Sequence, residues 1–295
     1  MKTPTYDWSR RHCSMSDSPA PTSRVSTAAH IGIMTKYNFL NYFRARRFYV
    51  MLAIVLLISG LLTFAIAYYR PQALLAGGAL GFYGAGWASF ASFVVILSTA
   101  FFGGDAISGE FQNKTGYFLV PNPIRRSSIY AGKWLAALAA STIILGLFAL
   151  IIVANGVYYF GASLPSQFLQ SILYAWVYLV AALSLTFAFS SLFKSSSISI
   201  LMSVILLLFV FDVIDTVAST VVGIEPWFSI TYGAGIVSNI LTVPYPKHVS
   251  TTQVGPRFSL TTYAATVPEG LAILAVYFIV MAILGLWLFE RKEFT

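Results

Sequence analysis

The sequence predicts an all-α, polytopic membrane protein with six transmembrane helices, an N-terminal amphipathic surface helix and a re-entrant or interfacial segment before the last span. Three observations carry that expectation. The 295 residues are 58% hydrophobic and only 9% charged, whereas a soluble domain carries about 25% charged residues. A soluble fold of this length has no way to hide so much apolar surface. Six apolar runs are each close to the roughly 20 residues that cross about 30 Å of hydrocarbon at about 1.5 Å per residue. The basic residues fall in short stretches between those runs, and aromatic residues reach 16%, in keeping with rings placed at membrane interfaces.

Taken in order, residues 1–33 are polar, rich in Ser, Thr and Pro, and without periodicity. They read as a disordered leader without the apolar core of a signal peptide. The transmembrane domain is assigned to residues 34–295, and Met34 is a second candidate start. Next, Phe39, Leu40, Tyr42 and Phe43 interleave with Lys36, Arg44, Arg46 and Arg47, which suits an amphipathic helix on the membrane surface. The spans are expected at 50–68, 83–102, 134–158, 168–193, 197–220 and 270–289. Phe193-Lys194-Ser195 makes a tight polar turn between the fourth and fifth. The apolar piece 227–241, interrupted by Gly233 and Gly235, is too short to span and is the re-entrant or interfacial candidate. Gly77 and Gly81 form a G-x-x-x-G, which allows close helix packing or simply a flexible entry to the second span.

Charge sets the expected orientation. With the N-terminus inside, 15 of the 18 Lys and Arg residues lie in cytoplasmic segments, and only Arg70, Lys247 and Arg257 lie outside. Without the leader the bias is still 11 to 3. The positive-inside rule then puts both termini in the cytoplasm of a multi-pass cell-membrane protein. The net charge of +8 is thus an orientation signal, and no nucleic-acid partner is expected, since a nucleic-acid binder gathers its basic residues on one face of a soluble domain.

Several chemistries are excluded. Gly132-Lys133 is followed by Trp134, and no Gly stands five residues before Gly132, so there is no P-loop. No G-x-S-x-G, H-E-x-x-H or paired catalytic carboxylates occur. Cys13 is alone, so no intrachain disulfide forms. His12, His30 and His248 lack ligand spacing, and no metal site is expected. Asp212 and Asp215 lie at i and i+3 on one face of the fifth span. Intramembrane carboxylates are costly and usually face a cavity or partner, so they are candidates for a substrate or cation path. The plainer reading places them near the outer end, reaching water.

The segment 103–133 is the most informative. It runs Gly104-Asp105-Ala106-Ile107-Ser108-Gly109-Glu110, then Lys114-Thr115, Pro123-Ile124-Arg125-Arg126 and Gly132-Lys133. Polar residues, turn formers and apolar anchors alternate, and a connection this long is usually functional. Its make-up suits a short helix held at the membrane surface and offered to a soluble partner. Glu110, after the flexible Gly109, is expected to meet a basic residue on that partner or to orient the helix through Arg126.

This arrangement resembles the ABC-2 type permeases of ABC transporters. The resemblance rests on Asp105 leaving the second span, Ile107-Ser108-Gly109-Glu110, Thr115 five residues after the Glu, Pro123-Ile124 with Arg126, Gly132-Lys133 opening the third span, and the charged ending Phe289-Glu290-Arg291-Lys292-Glu293. It extends over residues 34–295. Lys114 departs from the family's usual Gly before the Thr, with Gly116 after it, and the leader is a second departure.

The resemblance implies an exporter permease. Two such chains, as a homodimer or heterodimer, form the membrane channel. Two soluble ABC ATPase subunits dock below, carrying the ATP and Mg, with no cofactor on this chain and no enzyme activity of its own. Asp105, Glu110, Thr115, Pro123, Arg126 and Lys133 would then belong to the coupling segment. A secondary transporter or channel without an ATPase partner is the alternative. It would require charges or broken helices near mid-membrane, where only Asp212 and Asp215 qualify. An intramembrane enzyme is a third reading, but the expected spans contain no His.

Overall fold

The computed structural model describes residues 27–69, 78–113, 125–161, 164–255 and 258–291. Six helices are long and apolar enough to cross a membrane: Arg46–Tyr68, Gly78–Gln112, Arg126–Phe160, Ser166–Leu192, Ser196–Val222 and Val267–Arg291. These six expected spans are present, with displaced ends. The third begins at Arg126 rather than at 134, and the second continues past 102 to Gln112. The apolar count marks only the stretch that fits hydrocarbon, whereas a helix continues into water wherever its backbone bonds can form.

Burial ranks the spans. The windows of the second and fourth are 67% and 61% buried, while those of the fifth and sixth are 17% and 11% buried. The second and fourth therefore form the centre, and the others turn Leu57, Phe64, Phe209 and Ile283 outward. Such faces suit lipid or another subunit, because lipid tails are as apolar as Leu.

Close packing depends on small residues. A Cβ on Gly285 of the sixth span would lie 3.2 Å from the Cα of Ala188 on the fourth, and one on Gly132 of the third span would lie 2.6 Å from the Cβ of Met34. Small residues let helix backbones approach where no hydrophobic drive separates helix from lipid. Gly81 of the expected G-x-x-x-G meets nothing within 4 Å, and Gly77 lies outside the described residues. The tight contacts fall instead at other glycines, Gly132 of the Gly132-Lys133 pair and Gly285 among them.

The N-terminal helix is Thr27–Arg44. It starts before position 34, so residues 27–33, read from the sequence as leader, are helical. It packs on the third span at Met34, and Tyr42 donates its hydroxyl to the Phe102 carbonyl at 3.0 Å. Tyr42 and Phe48 also meet the Phe102 ring.

At the opposite end, between the fifth and sixth spans, 227–241 contains two short helices, Ile230–Ala234 and Ile236–Asn239. Ile230, Ile236 and Val237 are buried there. Two antiparallel strands follow, β1 (Val249–Gly255) and β2 (Phe258–Tyr263), with Ser250 opposite Thr262 and Thr251 opposite Thr261. The sequence reading assigned no strand, although these stretches are rich in Thr and β-branched residues and Gly255-Pro256 is a turn-forming dipeptide. The sixth span then opens with the Glu half of a capping box. Glu269 accepts from the Thr266 backbone N–H at 3.2 Å, and Pro268 sits in the first turn.

Candidate functional site

The second span does not stop at the expected boundary. It loosens into a turn at 104–107 and resumes as the short helix Ser108–Gln112. The start of that helix leaves backbone N–H groups without helical partners, and a neighbouring span satisfies them. The Ser190 hydroxyl accepts from the N–H of Ile107 and of Ser108, both at 2.9 Å. At the other end, Gln112 accepts from the Ser196 N–H at 2.9 Å. The short helix is thereby fixed to the fourth and fifth spans at the turn that joins them.

Two ion pairs tie it to other elements. Asp105 pairs with Arg47 at the start of the first span and also accepts from the Ser196 hydroxyl. Lys133 of the third span pairs with Glu110 at 2.6 Å and donates to the Ala106 carbonyl at 3.0 Å. Lys133 is only 6% exposed, so these partners must offset the cost of burying its ammonium. A Cβ on Gly109 would lie 2.7 Å from Asp105 Oδ1, which accounts for Gly between Ser108 and Glu110. Burial, and next the Asp105 carboxylate, push the Tyr42 hydroxyl well above its usual range, so it stays a neutral donor.

Together Asn38, Tyr42, Asp105, Glu110 and Lys133 line a polar cleft of about 250 Å³. Gln112 and Asn113 are exposed beside it. The cleft can receive a polar or charged side chain, and anything pressing on the short helix acts on the third, fourth and fifth spans through direct bonds, and on the first through Asp105 in the turn before it.

Of the residues named from sequence, Asp105, Glu110 and Lys133 meet here. Arg126 does not mark the same spot. It donates to the Glu290 carbonyl at 2.8 Å, while Glu110 pairs with Lys133. Two helical turns, about 10 Å, separate Arg126 from Lys133 along the third span, and the level of Glu110 is that of Lys133. Thr115 and Pro123 lie outside the described residues. Arg47, Ser190 and Ser196 were not singled out, because they come from distant spans and no local spacing announces them.

Asp212 and Asp215 sit between two π-helical segments of the fifth span, Leu206–Val210 and Val217–Val222. Asp215 accepts from the Thr231 hydroxyl at 2.6 Å and so holds the short helix Ile230–Ala234. Asp212 is exposed and lines a cleft of about 240 Å³ with Tyr178 and Thr231. The same end of the bundle holds a group that sequence reading passed over. Glu225, His248 and Glu269 converge there, with one potential ligand atom from each within 4.8 Å of the others. They come from three separate segments, so no motif could have shown them.

No curated relative matches the chain. A family model described as ABC-2 family transporter protein matches residues 33–294, which includes the short helix, its ion pairs and all six spans. That family supplies the multi-pass membrane component of ABC transporters, and this chain belongs to it: it is an ABC-2 family transporter protein.

Proposed function

We propose that the chain is the permease half of an exporter, driven by a soluble ABC ATPase that docks on the short helix Ser108–Gln112. The observation that carries this reading is the bonding of that helix to Lys133, Ser190 and Ser196 and of the turn before it to Arg47. Glu110 acts by fixing the helix through Lys133, and the exposed Gln112 and Asn113 face the partner. ATP and Mg are held on the ATPase. Two permease copies, identical or paired with a related chain, form the channel. The basic end of the bundle, with the N-terminal helix and the end of the sixth span, is the cytoplasmic end, as the basic bias requires. Asp212, in its cleft, is the residue assigned to the substrate path, while Asp215 anchors the wall of that path.

Cross-linking tests the docking site. In a Cys13→Ser background, Asn113→Cys should cross-link to a soluble ABC ATPase that copurifies with the wild type, whereas Gln253→Cys in β1 should not. The wild-type complex should also show substrate-stimulated ATP hydrolysis. Failure of the wild type to retain any such ATPase would overturn the reading. The specific feature favouring an ATPase-free secondary transporter is the Asp212/Asp215 pair between π-helical turns, a type of break common at functional sites. Substrate movement driven by an ion gradient alone would support that alternative.

A further inference from the structure

We propose that Glu225, His248 and Glu269 form a binding site for a divalent transition-metal ion, with zinc as the best fit. The site lies at the end of the bundle opposite Glu110, and the proposal does not depend on how transport is powered.

The geometry of His248 carries it. Its Nδ1 lies 3.1 Å from the Ala264 carbonyl. A carbonyl only accepts, so the ring proton is on Nδ1 and the Nε2 lone pair points elsewhere. Nε2 lies 3.4 Å from Glu225 Oε2. That is long for a charge-assisted hydrogen bond, which runs to about 2.9 Å. It matches the edge of a zinc tetrahedron, where two ligand atoms about 2.1 Å from the ion stand about 3.4 Å apart. A backbone carbonyl on the second ring nitrogen is the usual support of a metal-bound histidine.

The carboxylates are oriented too. Tyr232 donates to Glu225 Oε1 at 2.6 Å, which turns Oε2 toward His248. Glu269 Oε2 accepts from the Thr266 N–H at 3.2 Å and lies 4.0 Å from His248 Nδ1, which leaves its other oxygen, Oε1, for an ion on Nε2. Two carboxylates this close repel each other unless a cation or proton lies between them. One imidazole and two carboxylates leave a fourth tetrahedral position for water, and the side chains are 43%, 27% and 26% exposed for His248, Glu225 and Glu269, so an ion can enter. Imidazole disfavours magnesium and calcium, which prefer all-oxygen sites. Bound there, the ion would join the segment after the fifth span, the entry to β1 and the first turn of the sixth span.

The test uses full-length protein, purified without a metal-affinity tag, stripped with chelator and titrated with zinc by calorimetry. A single zinc ion should bind per chain. His248→Ala and Glu225→Gln should each lower zinc affinity at least about tenfold, while Cys13→Ser should bind as the wild type does. Zinc should raise the unfolding temperature of the wild type but not of Glu225→Gln, and excess magnesium or calcium should not displace it. On unaltered protein, zinc should shield His248 from diethylpyrocarbonate, read by peptide mass spectrometry, so the test survives a variant that does not fold. Unchanged affinity in the variants, absence of binding to the wild type, or no protection of His248 would each show that the three residues form only an ion-paired cluster.

Discussion

Lys133 is the residue on which the anchoring of the short helix Ser108–Gln112 turns. Its ammonium is buried, with the Glu110 carboxylate at 2.6 Å and the Ala106 carbonyl at 3.0 Å. Removing one member of such a pair strands the other, at about 3–5 kcal/mol, whereas replacing both with apolar groups is often neutral. Glu110→Ala should therefore lower stability by about 3 kcal/mol, and Glu110→Ala with Lys133→Met should recover most of it. Tryptophan-fluorescence melts in detergent would show this, and a single variant as stable as the wild type would refute the dependence of Lys133 on Glu110. Ser190 gives a second case. Its hydroxyl accepts two backbone N–H groups, and an unsatisfied buried donor costs about 1–3 kcal/mol. Ser190→Ala should thus increase hydrogen exchange at Ile107 and Ser108 while the spans keep their protection. At this scale the sequence was half legible. Asp105 and Glu110 stood out as charges beside an apolar run, but a serine in an apolar helix carries no sign that it caps another helix some eighty residues away.

At the scale of elements, apolar length located the spans and misplaced their ends. Polar residues such as Ser127 and Ser128 hid the first turns of the third span, because the helix continues beyond the lipid-facing stretch. The hairpin was missed because runs such as Ser250-Thr251-Thr252-Gln253 and Thr261-Thr262 break any apolar alternation along its strands. The N-terminal helix yields a sharper expectation. Ile31 and Met34 both approach Gly132, so a chain starting at Met34 loses part of a packed helix. Deleting residues 2–26 should leave membrane expression and melting temperature unchanged. Starting at Met34 should lower the melting temperature, and Gly132→Leu should do the same by forcing the helices apart. Equal melting temperatures for the two truncations would show that residues 27–33 add nothing to the fold.

For the whole molecule, alternating spans and charge lead to one arrangement. Contacts between Arg47 and Asp105, Ser190 and Ile107, Ser196 and Gln112, and Arg126 and Glu290 place these span ends together at one end of the bundle. Arg44, Arg46, Arg125, Lys194 and Arg291 adjoin these same ends in sequence. The opposite end carries the hairpin, with Lys247 as its basic residue among those described. Basic residues near span ends resist translocation, so the proposed orientation keeps this end in the cytoplasm. Lys194→Cys, in a Cys13→Ser background, should react with a membrane-impermeant maleimide only after the cells are opened. Gln253→Cys should react in intact cells. Six spans put both termini on the side of Lys194, so a C-terminal reporter active only in the cytoplasm should be active. Labelling of Gln253→Cys solely from the cytoplasmic side would invert the molecule, move the cleft around Glu110 out of reach of a cytoplasmic ATPase, and overturn the proposed docking site along with the topology.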